Sequence, residues 1–175
     1  MVLREFERVA LFFLHIISYF CKRNRVIQMK HKILFVCHGN ICRSPMAEFM
    51  MKQLVKEAGR EQEFEIDSVA TSTEEIGNDM YPPAQRCLRS HGVPFQHRGA
   101  RQITKADYDY FDRIFVMDRN NLRWLGMLGL DDKDGKVELL MSLVGEPRDV
   151  ADPWYTGNFE RTYNDIATAL PQLLL

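Results

Sequence analysis

The apolar run Ile33-Leu34-Phe35-Val36 leads directly into Cys37-His38-Gly39-Asn40-Ile41-Cys42-Arg43-Ser44-Pro45. No other stretch constrains the chain as much. Four consecutive apolar residues read as a strand covered on both faces, the kind found in parallel sheets. Ser44-Pro45 reads as a helix start, because proline suits a first helical position whose N–H has no partner in any case. Strand and helix are therefore joined by a short loop with a thiol at its head. Gly39 and Asn40 are residue types that accept positive φ where such a loop must curl.

An isolated cysteine at a strand end is ordinarily a small buried hydrophobe. Here five residues separate Cys37 from Arg43, and that spacing changes the reading. A tight loop entering a helix turns backbone N–H groups inward, and the helix N-terminus adds partial positive charge, so the loop suits an oxyanion of phosphate size. Arg43 offers a planar fork for two phosphate oxygens. The same field favours a thiolate: a free cysteine titrates near ~8.5, and such surroundings bring it to roughly 3.5–7.5. Cys37 is the candidate nucleophile. Ser44 can donate its hydroxyl to the sulfur or cap the helix.

Cys37 to Pro45, continuing into Met46, Ala47 and Glu48, resembles the signature of the low molecular weight protein tyrosine phosphatases. The resemblance runs from about Met29 to the C-terminus. It includes His97-Arg98-Gly99-Ala100-Arg101-Gln102, similar to the family's HG…ARQ stretch, and Asp152-Pro153-Trp154-Tyr155, similar to its DPYY segment with Trp154 in place of the first tyrosine. It implies a cysteine-dependent phosphatase acting on phosphotyrosine or other aryl phosphate monoesters through a phosphocysteine. Cys37 would be the nucleophile, Arg43 the phosphate clamp and Asp152 the general acid and base. His38, Gly39, Asn40, Ile41, Cys42 and Ser44 would make the phosphate-binding loop. Asn40 would be locked by side-chain hydrogen bonds, with Ser44, Ser68 and His97 as its partners. Cys42 would form a reversible disulfide that shields Cys37. Trp154 and Tyr155 would wall the substrate ring.

The chemistry independently asks for an acid such as Asp152. A phosphorylated sulfur forms only if the leaving oxygen gains a proton, and the same carboxylate can then activate water. Proline after Asp152 biases it to an extended conformation. Asp149 is the nearest rival, off the matching position. Many family members carry an aromatic in the loop after the second strand, but here the loop reads Thr71-Ser72-Thr73-Glu74-Glu75-Ile76-Gly77. Glu74 takes that position, Tyr81 is the candidate to fill part of the gap, and the two glutamates disfavour acidic peptides.

After Met29 the remaining chain alternates strands and helices. Strands are expected at Lys32–Val36, Phe64–Ala70, Arg113–Met117 and Val137–Met141. Helices are expected from Pro45 to a left-handed Gly59, from Pro82 to His91-Gly92, after an Asp118 cap, and along Phe159, Tyr163, Ile166 and Leu170. The expected fold class is α/β, a single-domain four-stranded parallel sheet flanked by helices. The resemblance makes it flavodoxin-like, of phosphotyrosine phosphatase I type. Sites in such sheets form at the carboxyl ends of strands, where the Cys37 loop lies.

The balance of 23 basic and 24 acidic residues argues against a nucleic-acid partner. Four cysteines, Cys21, Cys37, Cys42 and Cys87, show neither disulfide-scaffold density nor metal-ligand spacing and suit a reducing, cytoplasmic compartment. The acidic turn from Asp131 to Gly135 lacks calcium-loop spacing and reads as a solvated turn. No metal or other cofactor is expected. Residues 1–28 form an extension of different character. Val9–Phe20 is mostly apolar but short of the ~20 residues a bilayer span needs. It reads as a segment ahead of a true start at Met29, as an amphipathic helix docked on the domain or a membrane surface, or as a weak anchor; the first reading is preferred and membrane contact is not favoured. The runner-up functions are a thioredoxin-coupled arsenate reductase, which needs two further relay cysteines, and a phosphocysteine carrier protein, which needs neither Arg43 nor Asp152.

Overall fold

The computed structural model describes residues 30–175, so the expectations for residues 1–28 lie outside the described residues. The central element is strand β1 (His31–Cys37), paired in parallel on one side with β2 (Phe64–Ala70) and on the other with β3 (Arg113–Val116). Strand β4 (Val137–Leu139) adds in parallel to β3, giving the order β2-β1-β3-β4. The chain moves to one side of β1 for β2 and to the other for β3. The strand order thus reverses next to β1, where open α/β sheets form their clefts.

Alternation along β1 divides the interior in two. Ile33, Phe35 and Cys37 face a core built with Met46, Met50, Met51, Phe115 and Ile166. Leu34 and Val36 face a second core with Val69, Ile114, Val116 and Leu125. Both faces are covered, which is why β1 reads as an unbroken apolar run and not as alternation.

Helix α1 (Arg43–Glu57) starts two residues before Pro45, with Cys42 at the cap position and no side chain capping it. Ser44 is therefore not a cap. Gly59, at φ +67, closes the helix as its composition suggests. Helix α2 (Pro82–Ser90) follows a proline start. A short helix α3 (Lys105–Tyr110) was not expected, although Thr104 and Asp107 form a reciprocal capping box there. Asp118 caps α4 (Arg119–Met127), also with a capping box, to Asn121. The expected strand over Val137–Met141 stops at Leu139, and a 3-10 turn covers Leu140–Val144. Leu140 and Met141 are fully buried beneath that turn, and a short apolar run does not by itself separate a strand from a buried turn. A four-residue helix α5 (Pro153–Thr156) precedes α6 (Phe159–Ala169). In the acidic turn, Asp132 accepts from the N–H groups of Lys136 and Val137, which occupies it as a turn-forming group. Among the described residues, no helix is long and apolar enough to cross a membrane.

Candidate active site

The loop between β1 and α1 is held from outside by its carbonyls. Those of His38 and Ile41 accept from Ser72 N–H (3.0 Å) and Tyr81 N–H (2.8 Å), and that of Cys42 accepts from Met46 N–H (3.1 Å). A planar trans peptide places the following N–H opposite its carbonyl. Fixing these carbonyls outward therefore turns the N–H groups of Gly39, Cys42 and Arg43 toward the loop interior. The N–H of Asn40 points at the Cys37 sulfur, 3.2 Å away, and Ser44 Oγ lies 3.0 Å from the same sulfur. The Ser44 hydroxyl is thus placed against Cys37, one of the two roles its position allows.

Asn40 sits at φ +57, left-handed for a residue other than glycine. A fully satisfied side chain holds it there. Its amide nitrogen donates to Ser44 Oγ and Ser68 Oγ, each at 2.9 Å, and its oxygen accepts from Arg98 Nη2 (2.9 Å) and from Arg101 N–H (3.4 Å). Ser68 in turn donates to Glu48 (2.7 Å), and Arg98 ion-pairs with Glu48. A buried network therefore runs from Glu48 through Arg98, Ser68, Asn40 and Ser44 to the sulfur of Cys37.

His97 is not part of that network. Its side chain is 93% exposed and its ring pairs with Asp79. The supporting role expected of His97 belongs to Arg98, one residue on. Extended segments alternate direction with each residue, so an assignment off by one moves a side chain from inside to solvent.

Arg43 is 3% exposed. It is bound at one arm by Asp118 (2.5 Å) and at the other by Asp152 (2.5 Å). Burial opposes its charge, but Cys37, Asp152 and Asp118 more than offset this and raise its pKa. Asp152 is extended (φ −86, ψ 109), and its second oxygen accepts from Trp154 N–H at 3.0 Å. Asp149 lies elsewhere, exposed and engaged by the N–H and guanidinium of Arg119 at 3.2 and 3.1 Å. Cys42 is a free, buried thiol in the same pocket as Cys37; burial first, and then the charge on Cys37, pushes its pKa up. Cys87 is buried apart from the site, and burial with the nearby Glu160 pushes its thiol up to about 12.

Cys37, Arg43 and Asp152 line one cavity of about 290 Å³ together with His38, Gly39, Ile41, Cys42, Asp118, Trp154 and Tyr155. Glu74, exposed, and Glu75, half-buried, also line it, as does Trp124 of α4, which stands near His38 with ring centroids 5.9 Å apart. Trp124 thus adds to the cavity lining an aromatic that the loop after β2 does not supply. Tyr81 packs behind Trp154, at 5.3 Å between centroids, and not into the cavity. Sequence reasoning missed Glu48, Arg98, Asp118 and Trp124. A charged residue on the inner face of an apolar helix was the signal for Glu48. A carboxylate at the carboxyl end of a strand beside β1 was the signal for Asp118, whose capping role accounted for only one of its two oxygens.

Residues 32–175 match the family model described as low molecular weight phosphotyrosine protein phosphatase. The chain belongs to this family. The phosphatase is 43% identical over 137 residues to the low molecular weight phosphotyrosine protein phosphatase of Gallus gallus, covering 75% of this chain and 85% of the relative. It is 39% identical over 144 residues to the low molecular weight protein-tyrosine-phosphatase YfkJ of Bacillus subtilis, covering 81% and 92%. The crystal structure of YfkJ superposes with a TM-score of 0.77 over 83% of this chain and 92% of that one. A Drosophila arginine phosphatase, 32% identical, superposes at 0.73 over 82% and 95%. The parallel four-stranded sheet flanked by helices is thus the family's architecture, and the family's activity is that of a protein-tyrosine-phosphatase.

Proposed function

We propose that this phosphatase hydrolyses phosphotyrosine and related aryl phosphates through a phosphocysteine formed on Cys37. The observation that carries the reading is the convergence of three groups in one cavity: the Cys37 sulfur facing the Asn40 N–H and the Ser44 hydroxyl, the buried Arg43 fork, and Asp152. Asp118 keeps one arm of Arg43 in place, while the other arm exchanges Asp152 for the phosphoryl oxygens. The sulfur attacks phosphorus as the P–O bond to the phenol breaks, and protonated Asp152 gives its proton to the departing oxygen. The Asp152 carboxylate then takes a proton from water as that water attacks phosphorus, releasing inorganic phosphate and the Cys37 thiolate. Backbone N–H groups and Arg43 match the charge that develops on the phosphoryl oxygens.

Phosphotyrosine proteins or small aryl or acyl phosphates in a reducing, cytoplasmic setting are the substrates this reading implies. The reductase reading is weaker because Cys87 alone, among the described residues, lies in the region that needs two relay cysteines. The carrier reading leaves Arg43 and Asp152 without a role. Steady turnover of p-nitrophenyl phosphate without added metal at mildly acidic pH, abolished by Cys37→Ser, is the expected result. Turnover that survives Cys37→Ser, or a single phosphorylation with no release of phosphate, refutes the proposal.

A further inference from the structure

We infer that Glu74 and Glu75 form an acidic lip that selects phosphotyrosine segments carrying lysine or arginine beside the phosphorylated residue. The inference rests on the phosphatase reading above and adds the substrate class. Both glutamates line the Cys37 cavity, Glu74 exposed and Glu75 half-buried. Both are also anchored there. Glu74 Oε2 lies 3.1 Å from His38 Nε2 in the loop itself. Glu75 is tied by Asn78 Nδ2 at 2.7 Å, and its stem lies over Gly39 so closely that a Cβ there would stand 3.1 Å from Glu75 Cγ. Among the described residues, neither carboxylate ion-pairs with a lysine or arginine.

The charge of the cavity sharpens the effect. Arg43 is already shared by Asp118 and Asp152, and a bound phosphoryl group takes one of its arms. Among the described residues that line the cavity, Arg43 is the only lysine or arginine, so no second such cation offsets the two carboxylates there. The large aromatic side chains of the lining, Trp124, Trp154 and Tyr155, suit a phenyl ring without reading charge. Discrimination between peptides therefore falls to the lip. A flanking lysine or arginine meets a carboxylate, and a flanking aspartate or glutamate is repelled.

The test uses three phosphotyrosine peptides differing only in their flanking residues: lysine, alanine or glutamate. With exposed pairs each changing affinity by up to about five-fold, kcat/KM for the lysine peptide should exceed that for the glutamate peptide by roughly ten-fold at low salt. The ratio should fall toward unity in high salt and in E74Q/E75Q, and should invert in E74K/E75K. Equal turnover of all three peptides by the wild-type enzyme, or a ratio unchanged in E74Q/E75Q, overturns the lip while leaving the phosphatase reading intact. Absence of any Cys37-dependent turnover of the alanine peptide overturns both.

Discussion

At the scale of single residues, two aspartates near the C-terminal loop carry different environments. Asp152 faces Arg43 inside the cavity, and Asp149 is engaged by Arg119 on the surface. Asp152→Asn should therefore lower kcat by ~10²–10⁴-fold, the usual worth of a positioned general acid. Asp149→Asn should change it by less than about three-fold, as expected of an exposed ion pair. Steady-state rates on p-nitrophenyl phosphate check this, and comparable losses would remove the assignment. Asp152 was legible in the sequence because the proline that follows it restricts its backbone and because nucleophilic phosphoryl transfer requires a proton donor. Asp118 was not, because capping a helix is a sufficient reason for an aspartate at that place, and a second use of its other oxygen leaves no mark on local sequence.

Among the elements, the Cys37 loop depends on groups far from it in the chain. Arg98 reaches Glu48, Ser68 and Asn40 at once from an extended segment between α2 and α3. Arg98→Met leaves the buried Glu48 carboxylate with Lys52 and Ser68 alone. The cost should be about 3 kcal/mol, at the low end for breaking a buried ion pair, because Lys52 still pairs with the carboxylate. The thermal midpoint should then drop by roughly 6–12 °C. Arg98→Lys can restore a charge opposite Glu48 but not the fork that also holds Asn40. It should recover much of the midpoint and little of kcat, and equal recovery of both would argue against the loop-locking role. Strand β1 was readable from its apolar run, β2 from the alternation at its start, and α1 from its apolar spacing and Gly59. The end of β4, the short helix α3 and the choice of Arg98 over His97 were not. The first and last depend on which side of an extended chain meets the core, decided by partners distant in sequence, while the six-residue α3 is too short to show an apolar period.

For the whole molecule, two carboxylates tie loops and helices together at depressed pKa. The hydrogen bond from His91 pulls Glu160 below its ordinary 4.5, linking α2 to α6. Asp79 has a burial cost to overcome, yet the N–H groups of Met80 and Arg98, with His97, hold it below its ordinary 3.8. In both cases the unfolded chain takes up protons at higher pH than the folded one. The stabilisation is therefore complete above about pH 4.5 and is lost as pH falls through the lower folded values. The urea midpoint should decline as pH falls below about 4.5. Glu160→Gln should begin lower at neutral pH and decline less, and parallel curves for the two proteins would count against this account.

The position of β1 between two hydrogen-bonded neighbours has a further consequence. Its peptide groups are flanked by a ladder on each side and by apolar layers above and below, so their slowest hydrogen exchange should require opening of the entire domain. The reactive sulfur is fastened to the end of this least yielding strand. Partial loosening at β4 or in the C-terminal turns should leave the nucleophile in register, and catalysis should persist until the sheet itself comes apart.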